Sequence, residues 1–429
     1  MNHHTHPPKS SDRKIILASM TGNVLEYYDF TLFVFLTPLI SPLFFPAKDK
    51  VVSLIAGLGT YAAGFFMRPF GSLLFGYIGD TWGRKKALTL SIFMMAIPTA
   101  LIGCLPTYEQ IGMVAPLLLI ACRLCQGLCA GGEYNAAGIF TVENIQKTGA
   151  GLGGSFITSS SAMGSLSASI VAGLVSLPWM PTWAWRCAFL AGVLIAGVGF
   201  YLRRHVQENI SFQPEFSQKR QVFIHLKESL RHHPKAILCT FGIASCSGIM
   251  YAAAMRYSGI FLTTFLGWPL SESLTIVMSG TILYILLVPV GGTMADRFGE
   301  KKVMLTGAIA TLLGVYPVML LLSKAHTFPV ALLAEFLLAV LAAWFQSPMN
   351  AFMAKLFPLS SRFSGLAFGY TTGMALFGGT MTMLATALTH WLDNPLAPVL
   401  YLMAGAAMGL VAVIKAEPKF RLDRKSEKI

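Results

Sequence analysis

Within Thr21-Gly-Asn-Val-Leu-Glu-Tyr-Tyr-Asp-Phe30, two carboxylates, Glu26 and Asp29, and one amide, Asn23, recur every three residues in an otherwise apolar run. On a helix that spacing puts them on one side. Counting about 1.5 Å per residue from Arg13 and Lys14 puts both acids near mid-membrane or slightly beyond, if the run crosses a bilayer. Charged carboxylates at that depth are costly and face a wet cavity or a partner. Burial disfavours the charged form of a carboxyl and a nearby arginine favours it, which is the balance a reversible proton carrier needs. The competing reading is a structural salt bridge to Arg68 or Arg123.

Three arginines fall in apolar runs of their own: Arg68, Arg123 and Arg256. Arg68 is assigned to an intramembrane charge pair rather than to a solute, because most such charges are neutralised within the protein. Glu133, nearer the cytoplasm on the fourth run, belongs to the same charge-pair set. Arg123 is the candidate for gripping an anionic group, since its planar fork matches a carboxylate. Gln126 shares its face, and Gly127 with Gly131 forms a small-residue seam for close helix contact. Arg256 either snorkels to the outer interface or adds a positive group to the cavity, favouring a carboxylate or polycarboxylate. Asn23, Tyr27, Gln346 and Asn350 complete the candidate solute-binding set, the last two lying four apart on one face.

These residues need a scaffold, and a repeat supplies one. Gly76, Asp80, Gly83, Lys85 and Lys86 recur as Gly292, Asp296, Gly299, Lys301 and Lys302, each displaced by 216 residues, half of the 429-residue chain. Both copies sit between long apolar runs, as duplicated parallel halves of a membrane protein would leave them. Glu143 closes the fourth run on the cytoplasmic side, where a pair with Arg84 is expected.

The chain is 55% hydrophobic and 12% charged, against roughly 25% charged in an average soluble domain. Twelve apolar runs, six per half, are each long enough to span. The expected organisation is a tail at 1–13, a half at 14–202, a linker at 203–235, a half at 236–415 and a tail at 416–429. With both termini in the cytoplasm, Lys48, Lys50, Arg186 and Lys324 fall in outside loops and three arginines in helices, leaving 25 of 32 Lys and Arg inside. That bias explains the net charge of +13 without nucleic acid. The linker stretch 223–230 reads equally as a surface amphipathic helix or a solvated basic segment. The seven Cys, including Cys122, Cys125 and Cys129, read as small packing residues rather than a metal or redox set. No P-loop, metal cluster, cofactor motif or nucleophile constellation appears, so an enzyme is not expected.

The set Gly22-Asn23-x-x-Glu26-Tyr-x-Asp29-Phe30, Arg68-Pro-x-Gly71, Gly79-Asp-x-x-Gly-Arg-Lys-Lys86 and Arg123-x-x-Gln-Gly-x-x-x-Gly-Gly-Glu133 resembles the major facilitator superfamily. More narrowly it is similar to the metabolite:proton symporters, which include proline/betaine, α-ketoglutarate, citrate and shikimate carriers. The resemblance implies an all-α fold of twelve transmembrane helices in two pseudo-symmetric halves. It also implies proton-driven uptake of a small organic solute by alternating access in a bacterial inner membrane, with the proton gradient as sole energy source. It makes Asp80 and Arg84 part of a cytoplasmic gate, with Gly79, Gly83, Glu143 and Asp296 as its other candidates, and a monomer is the expected working unit. Glu300 replaces the arginine expected in the second motif copy, so the gate should be asymmetric. An exporter of a metabolite or drug on the same fold, and a nontransporting membrane sensor, are the rival readings.

Overall fold

Long apolar runs fold as helices because only internal backbone pairing satisfies N–H and C=O groups in hydrocarbon. The computed structural model describes residues 12–82, 84–131, 133–145, 148–192, 197, 221–359, 361–420 and 422. At 14, 15, 18, 76, 79–82, 84–89, 91–93, 133 and 221–225 it describes the backbone alone.

The amino half contains α1 (Asp12–Phe44), α2 (Lys50–Phe66 continuing as Arg68–Trp82) and α3 (Arg84–Cys104). It continues with α4 (Val114–Cys129, then Glu133–Asn144), α5 (Ala150–Val175) and α6 (184–192). The carboxyl half opens with α7, in which Pro234–Ala252 and Ser258–Phe265 flank a π-helical turn, Ala253–Tyr257. There follow α8 (Leu270–Phe298), α9 (Glu300–Ser323) and α10 (Phe328–Gln346, then Met349–Ala354). α11 (Arg362–Gly373, then Met381–Trp391) carries a second π-helical turn, Met374–Gly378, and α12 is Pro398–Lys415.

Nine of the described helices are long and apolar enough to cross a membrane. The remaining three have visible reasons for falling short. α3 opens on Arg84-Lys85-Lys86, α6 is described only in part, and α11 is interrupted after its π-helical turn. The two halves meet along α5 against α8 and α2 against α11. The connecting helix, Gln221–His232, packs beneath α2 and α11. Leu226 is buried there, and Ser229 donates to the Ser361 carbonyl at 3.3 Å. This segment therefore takes the helical of the two expected forms, an amphipathic helix whose buried face docks on α2 and α11 while Lys227, Glu228 and Arg231 stay exposed.

Both motif copies occupy the turns joining α2 to α3 and α8 to α9, at the same end of the bundle. In the second copy Gly299 has φ +94°, a left-handed conformation that favours glycine. The seam expected on α4 is real and tighter than side-chain packing. A Cβ at Gly127 would collide with the Gly64 carbonyl, and one at Gly131 with the Arg68 carbonyl. α2 and α4 thus touch backbone to backbone, which fixes Arg68 and Arg123 relative to one another.

Candidate functional site

The first-helix polar residues do not share one neighbour. Steps of three residues leave about 60° of rotation each on an α-helix, so six residues reach across two faces. Asn23 is fully buried against α5, its amide donating to Ser160 Oγ at 2.8 Å, Ser161 Oγ at 2.9 Å and the Ile157 carbonyl at 3.1 Å. Glu26 turns to α2, with its Oε1 3.7 Å from Arg68 Nη2. Asp29 turns to Thr99 of α3 and Arg123 of α4. Arg68 also lies over the rings of Phe30 and Phe65, at 4.2 and 4.0 Å from their centroids. Its described partner is thus Glu26; the side chain of Glu133, the other residue assigned to this set, lies outside the described residues.

Arg123 is placed differently from the expectation. Its guanidinium is fully buried, donates to Gln126 Oε1 at 2.7 Å, and rests on Phe33 and Phe30 at 4.3 and 4.9 Å. Gln126 passes the connection to Thr99 Oγ1 at 2.7 Å. The aromatic lid of α1 walls this group into the amino half, so Arg123 and Gln126 support Asp29 and do not line the central cavity. Asn23, bonded into α5, does not line it either.

The cavity lies between the halves and is lined by Tyr27, Tyr134, Tyr251, Tyr284 and Tyr370, with Gln346 and Ser161 among its polar groups. Tyr134 of one half stacks on Tyr370 of the other, 5.1 Å between centroids and 16° between planes. Tyr27 meets Tyr251 edge-on at 6.3 Å. Gln346 accepts from the Tyr284 hydroxyl at 2.8 Å. In this conformation the cavity holds about 10 Å³, room for about one water and too little for a solute.

Arg256 stands on the π-helical turn of α7, 1% exposed, and none of its three guanidinium nitrogens has a hydrogen-bond partner among the described residues. It is stacked on Tyr251 at 5.1 Å and on Tyr61 of the opposite half at 5.5 Å. The interfacial snorkel is therefore overturned: the aromatic groups of both halves enclose this arginine just beyond the cavity.

The halves touch at both ends. At the motif end Asp296 accepts from the backbone N–H groups of Gly151 at 2.7 Å and Leu152 at 2.9 Å, capping α5 of the other half. On the opposite diagonal Arg362 Nη1 donates to Glu143 Oε1 at 2.7 Å. Glu143 thus has a cross-half partner that sequence reasoning missed. The side chains of Asp80 and Arg84, and the whole of Gly83, lie outside the described residues, and of Gly79 the helical backbone alone is described. Glu300, the departure in the second motif copy, pairs with Lys355. Deeper in, Asn350 Nδ2 donates across the halves to Tyr134 Oη at 3.2 Å, Thr158 Oγ1 at 3.1 Å and the Gly154 carbonyl at 3.0 Å. Tyr134 and Asn350 are 216 residues apart, the offset of the repeat, so equivalent positions meet between the halves. At the far end His390 Nε2 lies 3.0 Å from Asp49 Oδ2, joining α11 to the start of α2.

Tyr284, Tyr370 and Arg362 are the functional candidates missed from sequence. The repeat offset linking Tyr134 to Asn350 was the one signal available for the axis, while single tyrosines inside apolar helices carry none.

The Major Facilitator Superfamily model matches residues 20–283 and 243–428. The chain is 30% identical over 412 residues to the glycine betaine/proline/ectoine/pipecolic acid transporter OusA of Dickeya dadantii, covering 93% of this chain and 82% of that one. It is 31% identical over 423 residues to the shikimate transporter of Escherichia coli, covering 94% of each. A crystal structure of a D-xylose–proton symporter superposes with a TM-score of 0.71 at 14% identity, covering 96% of this chain and 99% of that one, a likeness of fold alone. Matches of this extent, on a twelve-helix fold in two pseudo-symmetric halves, identify a multi-pass membrane transporter rather than an enzyme: the chain belongs to the Major Facilitator Superfamily.

Proposed function

We propose that this transporter imports a small zwitterionic solute together with protons, by alternating access across a bacterial inner membrane. The solute carries a carboxylate and, at its other end, a cationic alkylated nitrogen, as proline and betaine do. One observation carries the reading: five tyrosines from both halves converge on the cavity, and Arg256, with no hydrogen-bond partner among the described residues, is stacked directly behind them. Aromatic faces attract a weakly hydrated cation, and a guanidinium fork matches a carboxylate. The arginine alone favours a carboxylate or polycarboxylate; the tyrosine set adds the preference for a positive nitrogen. The name of the Dickeya relative, with glycine betaine, proline, ectoine and pipecolic acid, supports the same class.

Asp29 and Glu26 are the proposed proton carriers. Glu26 is paired with Arg68 and Asp29 stands near Arg123 in the dry amino half, so gaining a proton weakens the attraction of each acid for its arginine and loosens the helices it holds. The motif end is assigned to the cytoplasm by the basic residues gathered there. Opening inward then requires Asp296 to release α5 and Arg362 to release Glu143. No cofactor enters the scheme, and protons, solute and bilayer are its only partners.

The test is radiolabelled uptake in proteoliposomes with an inward proton gradient imposed and removed. The panel is proline, glycine betaine, α-ketoglutarate, citrate and shikimate. Gradient-driven accumulation of proline or glycine betaine, abolished by Arg256→Ala and weakened by Tyr370→Leu, is expected. Accumulation of citrate or α-ketoglutarate alone would overturn the solute class, and uptake indifferent to the gradient would overturn proton coupling.

A further inference from the structure

We infer that Glu335 is a second proton-binding site of this transporter, seated in the carboxyl half beside the π-helical turn of α7. The inference rests on the proton-coupled reading above. Glu335 lies two turns into α10 from the end opposite the motifs, with no exposed surface. Neither carboxyl oxygen has a hydrogen-bond partner among the described residues. Its polar neighbour is Ser258, the first residue after the π-helical turn, whose hydroxyl donates to the Ala254 carbonyl at 2.9 Å.

Among the described residues no element packed on α10 brings an ion-pair partner to the carboxyl. From α7, Arg256 is turned to Tyr61 and Tyr251, and Tyr257 bonds Thr389 at 2.8 Å. From α8, Tyr284 bonds Gln346. The charged residues of α9, Glu300, Lys301 and Lys302, stand at its motif end, and Lys301 caps carbonyls of Ile414 and Ala416. An ionised carboxylate without a countercharge is not sustained in such surroundings. On the proposal, the group holds its proton in this conformation.

The site is also shaped for the carboxyl. A Cβ on Gly280 of α8 would fall 2.5 Å from both Cγ and Oε1 of Glu335, so the missing side chain at 280 makes the space that the acid occupies. The neighbouring π-helical turn supplies a way to open it. That turn holds one residue more than an α-helical turn, and such bulges occur at functional sites. Straightening it would swing Ser258 and the outer segment of α7 away from Glu335 and admit water from the outer side. Arg256 lies on the same turn. Proton exchange at Glu335 and solute contact at Arg256 would then be timed by one element.

The experiment has two arms on the full chain in proteoliposomes. Infrared difference spectroscopy, read across a pH series and in D2O, detects the carbonyl stretch of a protonated buried carboxyl without needing transport. The wild type is expected to show this band and Glu335→Gln to lack it, while Asp29→Asn retains it. In the second arm, limiting accumulation is measured at a fixed gradient of one pH unit. Each coupled proton multiplies that limit about tenfold, so Glu335→Gln is expected to lower it about tenfold while solute exchange at equal pH persists.

A band unchanged in Glu335→Gln overturns the inference, as does an unaltered accumulation limit or a loss that follows sodium removal instead of the proton gradient. If the glutamine variant is not recovered folded, Gly280→Ala replaces it. Its added methyl meets the carboxyl, so the band must shift, and an unshifted band is equally fatal. A wild type that shows the band but no gradient-driven uptake would overturn the proton-coupled reading instead.

Discussion

Asp296→Asn should loosen the motif end by a measurable and local amount. The aspartate accepts two backbone N–H groups at the first turn of α5, at 2.7 and 2.9 Å, where the helix dipole adds to the attraction. Hydrogen bonds to a charged acceptor contribute about 1.5–3 kcal/mol each. Asparagine keeps one carbonyl oxygen, loses the charge and turns an NH2 group toward a donor. Asp296 is solvent-exposed, so the low end of the range applies, and about 2 kcal/mol of the closed state is lost. That corresponds to roughly a thirtyfold shift toward opening. Hydrogen–deuterium exchange of peptides covering 149–155 reads the change directly, because the two bonded amides lie inside them. Exchange there should rise by about that factor, with peptides from the far end, around 380–392, unaltered. Unchanged exchange at 149–155 would show that Asp296 does not hold α5, and the latch argument would fall. Gly151→Ala is the independent check, since its Cβ would meet Asp296 Oδ1 at 2.8 Å and should open the same peptides.

Arg362→Ala removes one partner of a buried pair and should cost about 3–5 kcal/mol of the motif-end closed state, read as exchange in 358–365 and as partial recovery in Arg362→Lys. Asn350→Ala strips the cross-half donor from Tyr134 and Thr158 and should cost about 1–3 kcal/mol, seen as a lower thermal midpoint with faster opening near 154–158. Gly127→Ala pushes α4 off the Gly64 carbonyl and should lower thermal stability by about 1–3 kcal/mol without altering exchange at the Asp296 latch. His390→Ala, by contrast, breaks a half-exposed pair with Asp49 and should change stability by less than about 1 kcal/mol. A large loss there would mean that the far end is held by this pair alone.

The fold was legible because hydrophobic run length and a repeat at one offset are global properties that survive any detail of packing. The repeat went further than expected, for it also relates Tyr134 to Asn350. Roles on the first helix were less legible. The i, i+3, i+6 pattern of Asn23, Glu26 and Asp29 is real, yet each residue meets a different helix, and sequence holds no record of which neighbour stands at which angle. Arg123 illustrates the same gap: its chemistry suits an anion, but Phe30 and Phe33 cover it, and a cover supplied by another helix is invisible to a motif. Arg256 was marked as unusual from its type and depth alone. The π-helical turn that buries it came without a proline or glycine to announce it. Arg362 is the described partner of Glu143, and no motif signalled it, because the ends of α4 and α11 converge only in three dimensions.

The two halves differ in mechanical character. In the amino half, α2 and α4 are joined backbone to backbone at Gly64, Gly127 and Gly131, and paired charges brace the same region. Among the described residues both π-helical turns lie in the carboxyl half, on α7 and α11, and the α11 turn packs on α7 where Gly248, five residues before the α7 turn, approaches the Gly378 Cα. On that division the second half is expected to supply the bending and the first the fixed frame, and strain introduced anywhere in α7 should be felt in α11 before it reaches α1.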